Sequence, residues 1–328
     1  MFFSIIIPIF NRPDELDELL QSLTLQKFDT NTITQNIRFE VIIIEDGSTN
    51  KAEIVCSKYH SQLDIKYFYK ENAGQGFARN VGFEKATGDY FIVFDSDCII
   101  PPNYLQTVYN SLQVNYLDAF GGPDAAHESF TPVQKAISYA MTSLFSTGGI
   151  RGNKNSAEKF RPRSFNMGIS RKVWETTKGY KITRMGEDIE FSIRIEKAGF
   201  KTGLIAEAFV YHKRRTNFSQ FYKQLHFFGR GRINIRHFFP EELKLVHTFP
   251  AFFMLYLCLS PFILIFSAKL CLVHFFTILF YFSVIFFDAL RKTKNLKVAF
   301  LSIFAVFIQL SAYGIGFLKE TLALVMKN

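Results

Sequence analysis

The sequence predicts an α/β protein: a doubly wound sheet flanked by helices, then a basic amphipathic helix and about three membrane-spanning helices. Three observations predict it. Short β-branched or aromatic runs alternate with stretches of helical spacing in the first half, and charged residues vanish from long tracts after Pro240. A lysine- and arginine-rich segment joins the two regions. The chain has 328 residues, with 38 Lys+Arg against 29 Asp+Glu for a net charge of +9, and 48% of its residues are hydrophobic, ample for a large core. With 10 Pro, 19 Gly and four scattered cysteines (Cys56, Cys98, Cys258, Cys271), it is not disordered, collagenous or a disulfide scaffold. No C-x-x-C pair is present, which argues against a cysteine zinc site.

The first apolar run, 3–9, reads as a strand and not a signal peptide, because no basic region precedes it and Asn11, Arg12 and Asp14 follow too soon. Pro13 then opens a helix whose Leu16, Leu19, Leu20 and Leu23 share one face. Strands follow at 39–44, 65–69 and 90–94, with a helix at 76–85. This alternation implies parallel pairing, and the run Val41-Ile42-Ile43-Ile44 suits a strand buried on both faces. Ligands of such sheets sit outside the carboxyl ends of the strands. Those ends here are Asn11-Arg12, Glu45-Asp46-Gly47-Ser48, Glu71-Asn72-Ala73-Gly74 and Asp95-Ser96-Asp97. Carboxylates from three strand ends at one edge require cations or hydrogen-bond donors. Asp95 and Asp97 can both reach a hard divalent ion, which would neutralise a diphosphate leaving group; a turn or helix cap is the plainer reading of Asp-x-Asp alone.

The stretch 121–163 departs from simple βαβ order, with Gly121-Gly122-Pro123, a helix expected over 133–145, and a glycine-rich basic loop at 148–153 expected to close over donor or acceptor. Three tracts further on, 248–268, 270–287 and 298–318, carry no charge and approach the roughly 20 residues that span hydrocarbon. Lys269 alone separates the first two, whereas Arg291, Lys292, Lys294 and Lys297 join the second and third. The positive-inside rule therefore places that second loop, and with it the amino-terminal domain, in the cytoplasm. Just before the first tract lie Lys213, Arg214, Arg215, Lys223, Arg230, Arg232 and Arg236, with Phe218, Phe221, Leu225 and Phe228 at helical spacing. This segment reads as an interfacial helix on anionic membrane lipid. A solvated face is the alternative. Nucleic acid is not expected as a partner, because the basic run abuts hydrocarbon.

The motifs Ser4-Ile5-Ile6-Ile7-Pro8-Ile9-Phe10-Asn11-Arg12-Pro13, Val41-Ile42-Ile43-Ile44-Glu45-Asp46-Gly47-Ser48-Thr49, Asn72-Ala73-Gly74-Gln75-Gly76-Phe77-Ala78-Arg79-Asn80-Val81-Gly82, Asp95-Ser96-Asp97 and Gly186-Glu187-Asp188-Ile189-Glu190 occur in this order. Together they resemble the family 2 inverting glycosyltransferases of GT-A fold, with a Rossmann-like mixed sheet. The resemblance covers 1–215, about two-thirds of the chain. A basic interfacial segment (216–246) and a transmembrane region (247–328) complete the expected division.

The resemblance implies that Asp46 contacts the nucleotide base, that Asn72 and Arg79 help hold the nucleotide, and that Asp95 lies near ribose and metal. Asp97 then ligates Mg2+ or Mn2+, and His212 resembles a histidine that joins it at the metal, with a core or interface histidine as the alternative. From their chemistry alone, Arg214 and Arg215 suit bidentate binding of the diphosphate, and membrane-facing charge explains them equally well. Asp188 matches the catalytic base, which takes the acceptor's hydroxyl proton during inversion; Glu187 and Glu190 compete for that role. Gly74, Gly76 and Gly82 would admit close backbone approach. The strand at Phe165-Asn166-Met167-Gly168 would return beneath the acceptor, and Trp174 would stack on a sugar or pack in the core. Processive synthases of the family carry Gln-x-x-Arg-Trp, and Gln224-Leu225-His226-Phe227-Phe228-Gly229-Arg230 has no tryptophan, which favours single-sugar transfer.

The expected activity is therefore transfer of one sugar from a nucleotide-sugar donor, with a UDP-sugar favoured, to a lipid-linked glycan acceptor in envelope polysaccharide or glycolipid assembly. The expected location is the cytoplasmic face of the inner (plasma) membrane, with a multi-pass anchor. The alternatives are transfer to a bare polyprenyl phosphate and a catalytically silent membrane scaffold that keeps the nucleotide fold.

Overall fold

A computed structural model describes residues 1–29, 37–147 and 160–326. The described residues form two compact units, 1–127 with 160–213, and 128–147 with 214–326.

In the first unit β1 (Phe2–Ile9) leads into α1 (Pro13–Thr24), β2 (Arg38–Asp46), α2 (Glu53–Ser57), β3 (Ile65–Lys70) and α3 (Gln75–Lys85). There follow β4 (Tyr90–Phe94), β5 (Cys98–Ile99), α4 (Tyr104–Val114), β6 (Ala119–Gly121) and β7 (Asp124–Ala125). The chain then makes α5 (Pro132–Thr142) and α6 (Leu144–Thr147) of the second unit. It returns as β8 (Asn166–Ser170), α7 (Arg171–Thr177), α8 (Glu187–Lys197), β9 (Thr202–Leu204) and β10 (Val210–His212). Among the described residues the larger sheet has the order β3-β2-β1-β4-β8-β6-β9. β3, β2, β1 and β4 are parallel, as the alternation of strands and helices predicts. β8 runs antiparallel to both β4 and β6, so the sheet is mixed. The reason is connectivity: β8 is reached through the excursion into α5 and α6, not through a helical crossover, and only a parallel return demands a crossover.

Ile5, Ile7 and Ile43 pack against Leu16, Leu19 and Leu20 of α1 on one face, while Ile6, Ile42 and Ile44 pack with Ala78 and Phe83 of α3 on the other. β1 and β2 are thereby buried on both sides. α1 begins at Pro13, whose missing N–H would be unpartnered in a first turn anyway, with Asp14 and Glu15 at its positive end. α3 lies so close to β1 that a Cβ on Gly82 would collide with the Ile6 side chain. Trp174, partly buried, meets Phe91 edge-on at 5.9 Å and packs against the core on the α3 side of the sheet. A second sheet, β5-β10-β7, is small: β10 pairs antiparallel with β5, setting His212 opposite Cys98, and parallel with β7, setting Val210 opposite Asp124.

The second unit adds α9 (Phe218–Phe238), α10 (Phe249–Cys258), α11 (Ser260–Phe266), α12 (Ala268–Thr293) and α13 (Leu296–Val325). Among the described residues three segments are long and apolar enough to cross a membrane: Leu245–Ile263, Ala268–Thr293 and Leu296–Val325. α10 and α11 are separate because Pro261 cannot donate to the preceding turn. α12 exposes Leu272, Val273, Phe275, Phe276, Leu279 and Phe280. α13 has two faces. Phe300, Phe304 and Phe307 are exposed, while Ser302, Ala305, Gln309, Ala312 and Gly316 are buried at helical spacing.

The basic segment forms the single helix α9, capped by Asn217, whose Oδ1 accepts the Gln220 N–H at 2.9 Å. It does not lie free. Gly229 abuts the Tyr313 carbonyl, Gly316 abuts the His226 carbonyl, and Arg230 pairs with Glu320 at 2.7 Å. The helix expected over 133–145 is split at Ser143, whose backbone is extended. These residues pack with the carboxyl-terminal helices, outside the 1–215 domain in which the sequence placed them. Tyr139 donates to Asp288 Oδ2 at 2.8 Å, and Tyr281 donates to the Phe145 carbonyl at 2.9 Å.

Candidate active site

β2 ends in adjacent buried carboxylates that turn apart. Asp46 accepts hydrogen bonds from Lys70 Nζ (2.6 Å), the Ala73 N–H (3.0 Å) and the Gly74 N–H (2.8 Å), while Asn72 Nδ2 donates to its carbonyl at 2.8 Å. Asp46 and Asn72 therefore clamp the β2 and β3 ends together, and Gly47 is required because a Cβ there would lie 2.6 Å from the Asn72 nitrogen. Glu45 instead accepts from the Ala52 N–H (2.8 Å), Tyr67 (3.1 Å) and Ser48. Asn11, in a left-handed conformation at φ 54, accepts the Thr49 and Asn50 N–H groups at 2.9 Å and so ties the end of β1 to the same loop.

α3 starts at Gly74 (φ +91) and buries Arg79. The guanidinium holds Asp95 Oδ1 at 2.8 Å and Glu187 Oε1 at 3.3 Å, and lies over the Tyr180 ring at 5.4 Å. Burial opposes its charge, but Tyr180, Asp95 and Glu187 outweigh that and push its pKa above the ordinary arginine value. Glu187 is pushed above the ordinary carboxylate value by burial and then by Asp188, against the pull of Arg79. Gly186, at φ +97, opens α8. Its first turn sorts the three carboxylates. Glu187 is directed to Arg79 and Gln75, and Glu190 is locked to Arg194 at 2.5 Å. Asp188 keeps 22% side-chain exposure, against 6% for Glu187, with its Oδ2 3.7 Å from Arg163.

The small sheet assembles the third part. Asp97 Oδ2 accepts from Arg12 at 2.9 Å, and its Oδ1 lies 3.1 Å from His212 Nε2. On the far side of the ring, Nδ1 lies 3.7 Å from Asp124 Oδ2, and Phe165 stacks on the imidazole at 5.0 Å and 19°. Donor atoms of Asp97, Cys98 and His212 fall within 4.8 Å of one another, the one such group among the described residues. Cys98 offers no thiolate: its Sγ donates to the Phe165 carbonyl at 3.5 Å, and burial followed by the charges of Asp97, Asp95 and Asp124 pushes the thiol well up. A hard carboxylate oxygen 3.1 Å from an imidazole nitrogen, on side chains that each keep 13% exposure, suits Mn2+ or Mg2+.

Of the residues singled out in the sequence, the structure brings Asp97 to His212, and Asp95 to Arg79 and thence to Glu187. Asp46 and Asn72 share one turn. Arg215 belongs to the second unit, and the loop at 148–153 lies outside the described residues. Asp124 and the pairings of Arg12 with Asp97 and Arg163 with Asp188 escaped sequence reasoning. Arg12 could have been found, since it follows β1 directly. Asp124, after Gly121-Gly122-Pro123, carries no spacing signal.

A mixed α/β sheet whose strand ends present carboxylates and a buried arginine at one edge defines the class of protein, a GT-A glycosyltransferase fold. The glycosyl transferase family 2 profile matches residues 4–176, more than half of the chain, and the chain belongs to that family. The fold is similar to that of the mannosyltransferase PcManGT from Pyrobaculum calidifontis, solved in complex with GDP-Man and Mn2+. The TM-score is 0.61 and the identity 13%, over 94% of this chain and 86% of that one. In sequence the chain is 27% identical over 229 residues to a probable glycosyltransferase of Sulfolobus acidocaldarius (67% of this chain, 47% of the relative). It is 31% identical over 121 residues to the glycosyltransferase GlyG of Streptococcus pneumoniae (36% of this chain, 38% of the relative). The matches cover less than half the length of these curated relatives.

Proposed function

We propose that this protein transfers a single sugar, with inversion, from a nucleotide-sugar donor to a lipid-linked glycan acceptor at the cytoplasmic face of a membrane. The observation that carries the reading is the grouping of Asp97 with His212 in a unit where Asp95 and Glu187 share the buried Arg79. In this reading Asp97 and His212 hold Mn2+ or Mg2+, which supplies charge neutralisation at the departing diphosphate. Mn2+ in the complex of PcManGT supports that choice of ion. Asp46 and Asn72, clamped in one turn, would face the base. Arg79 orients Asp95 toward the ribose.

Asp188 is the proposed base. All three carboxylates of the α8 first turn stand near arginines, but Asp188, 3.7 Å from Arg163, keeps 22% side-chain exposure against 6% for Glu187 and 3% for Glu190 and is the most accessible. The three apolar segments and α9 would keep the acceptor's lipid at hand. A UDP-sugar is the favoured donor; the GDP-Man of PcManGT makes a GDP-sugar the first competitor.

The test is calorimetric titration of the detergent-purified protein with UDP, GDP and dTDP nucleotides, each with Mn2+ and with EDTA. Metal-dependent binding of one nucleotide is expected. No binding of any would favour the silent scaffold, and transfer to a bare polyprenyl phosphate in a follow-up assay would favour the alternative acceptor. Asp188→Asn should lower kcat by on the order of 10²–10⁴-fold with donor affinity nearly unchanged. An equal loss of donor binding would assign Asp188 to structure.

A further inference from the structure

Two of the three apolar segments form a hairpin. Phe253 of α10 packs on Tyr281 of α12 at 6.2 Å, and Ser260 Oγ lies 2.7 Å from His274 Nε2, so the chain turns back at Ser267. Only 11% of the most apolar stretch of α12 is buried inside the protein, as suits a helix bathed in lipid. For α13 the share is 56%. The exposed residues of α13 form one stripe: Phe300, Phe304, Phe307, Ile315 and Leu322 recur at helical spacing, opposite the buried Ser302, Ala305, Gln309, Ala312 and Gly316. The stripe meets the hairpin where Gly314 abuts the Pro250 carbonyl of α10, and the exposed Lys297 and Lys319 border it, as cations do at a headgroup layer.

The helices that cover the other face of α13 tie both its ends to one side of the membrane. Val298 and Ala299, at its start, share a buried cluster with Ala136, Ile137 and Ala140 of α5, which at 11 residues is too short to cross. Toward its other end, Gly316 abuts the His226 carbonyl of α9, and Glu320 pairs with Arg230 at 2.7 Å. α5 and α9 start on the same side, because each follows by a short linker a strand of the same pair, β7 and β10. Lys297 and Glu320 lie roughly 35 Å apart along the helix at about 1.5 Å per residue, more than the ~30 Å of hydrocarbon. Were α13 to cross, Glu320 would emerge on the far side, and α9 would have to follow it with Lys223, Arg230, Arg232 and Arg236. Four cations on a helix that carries no acid make that passage prohibitive.

We propose that α13 does not cross the membrane but lies in the plane of the leaflet nearest α9, its phenylalanine stripe among the acyl chains of anionic phospholipid. The hairpin of α10, α11 and α12 is then the element that enters the bilayer, and the basic α9 sits above α13 at the headgroups. This placement concerns the helical unit alone and holds whichever donor or acceptor the protein takes.

Two measurements on the full-length protein test it, both in a background lacking Cys258 and Cys271. In the first, Asn295→Cys and Met326→Cys, each as the single added cysteine, are exposed to an impermeant maleimide in intact expressing cells and in inverted membrane vesicles. Both should label from the same side; labelling from opposite sides would show that α13 crosses and overturn the proposal. In the second, spin labels on Phe300→Cys, Phe307→Cys and Leu322→Cys are compared in phosphatidylethanolamine–phosphatidylglycerol vesicles for collision with oxygen and with a water-soluble nickel chelate. Equal depths of about 5–10 Å below the headgroups are expected at all three. A depth that peaks at Phe307 near the bilayer centre would again mean a crossing helix. High nickel access at all three would place the stripe in water, and low access to both reagents would place it against protein, such as a second copy of the chain; either result would overturn the proposal.

Discussion

At the scale of single residues, the first unit uses buried charge where strands alone would have left it unmet. Glu40 is fully buried between β1 and β3, and accepts hydrogen bonds from Ser4 (2.6 Å), Lys66 (2.5 Å) and both the N–H and hydroxyl of Thr87 (2.7 Å). Burial alone would raise its pKa, but the donors from Lys66, Ser4 and Thr87 outweigh burial and hold it below the ordinary value of 4.5. A carboxylate lowered in the folded state stabilises the fold above its unfolded pKa, and that contribution is lost as pH falls through the lowered value. Glu40→Gln should therefore cost about 1–3 kcal/mol near pH 7, with the difference from wild type shrinking below about pH 4.5 in melts across pH. A pH-independent difference would show that the charge of Glu40 is not involved. The same logic of donors explains why Asp46 was recognisable from its motif while its partners were not: Lys70 and the N–H groups of Ala73 and Gly74 come from the end of the next strand.

At the scale of elements, helices meet where glycine allows it. α9 and α13 approach through Gly229 and Gly316, each set against a carbonyl of the other helix, an arrangement that favours close helix contact in an apolar setting. Gly229→Leu should destabilise the helical unit by about 1–3 kcal/mol through overpacking, read as a lower detergent melting temperature and faster proteolysis of α9. No change would mean that the two helices do not touch at this point. The hydroxyl of Tyr139 in α5 meets Asp288 of α12, which also holds Lys292 at 2.8 Å. Tyr139→Phe should loosen α5 by about 1–3 kcal/mol, seen as faster amide exchange in α5 than in α9. The sequence announced α9 through its periodic phenylalanines and Asn217 cap. It did not announce the split at Ser143, because Val133 to Phe145 has no breaker residue.

At the scale of the whole chain, the charge of the loop between α12 and α13 predicts topology. A single cysteine placed at Asn295, in a background lacking Cys258 and Cys271, should react with an impermeant maleimide only from the cytoplasmic side, and one at Lys269 only from the opposite side. The reverse pattern would overturn the cytoplasmic placement of the amino-terminal unit. Sequence by itself determined the parallel strands β1 to β4, the start of α1 at Pro13, the three apolar segments and the family, since each is written in local periodicity, turn residues or ordered motifs. Only the tertiary structure decided that β8 runs antiparallel, that 128–147 packs with the carboxyl-terminal helices, and that α13 has a buried face. It also decided what each carboxylate meets: Asp95 meets Arg79, Asp97 meets Arg12 and His212, and Asp124 lies on the other side of the imidazole. The physical reason is range. Secondary structure is fixed by neighbours a few residues apart, whereas these pairings join strand ends brought side by side only by sheet order and register.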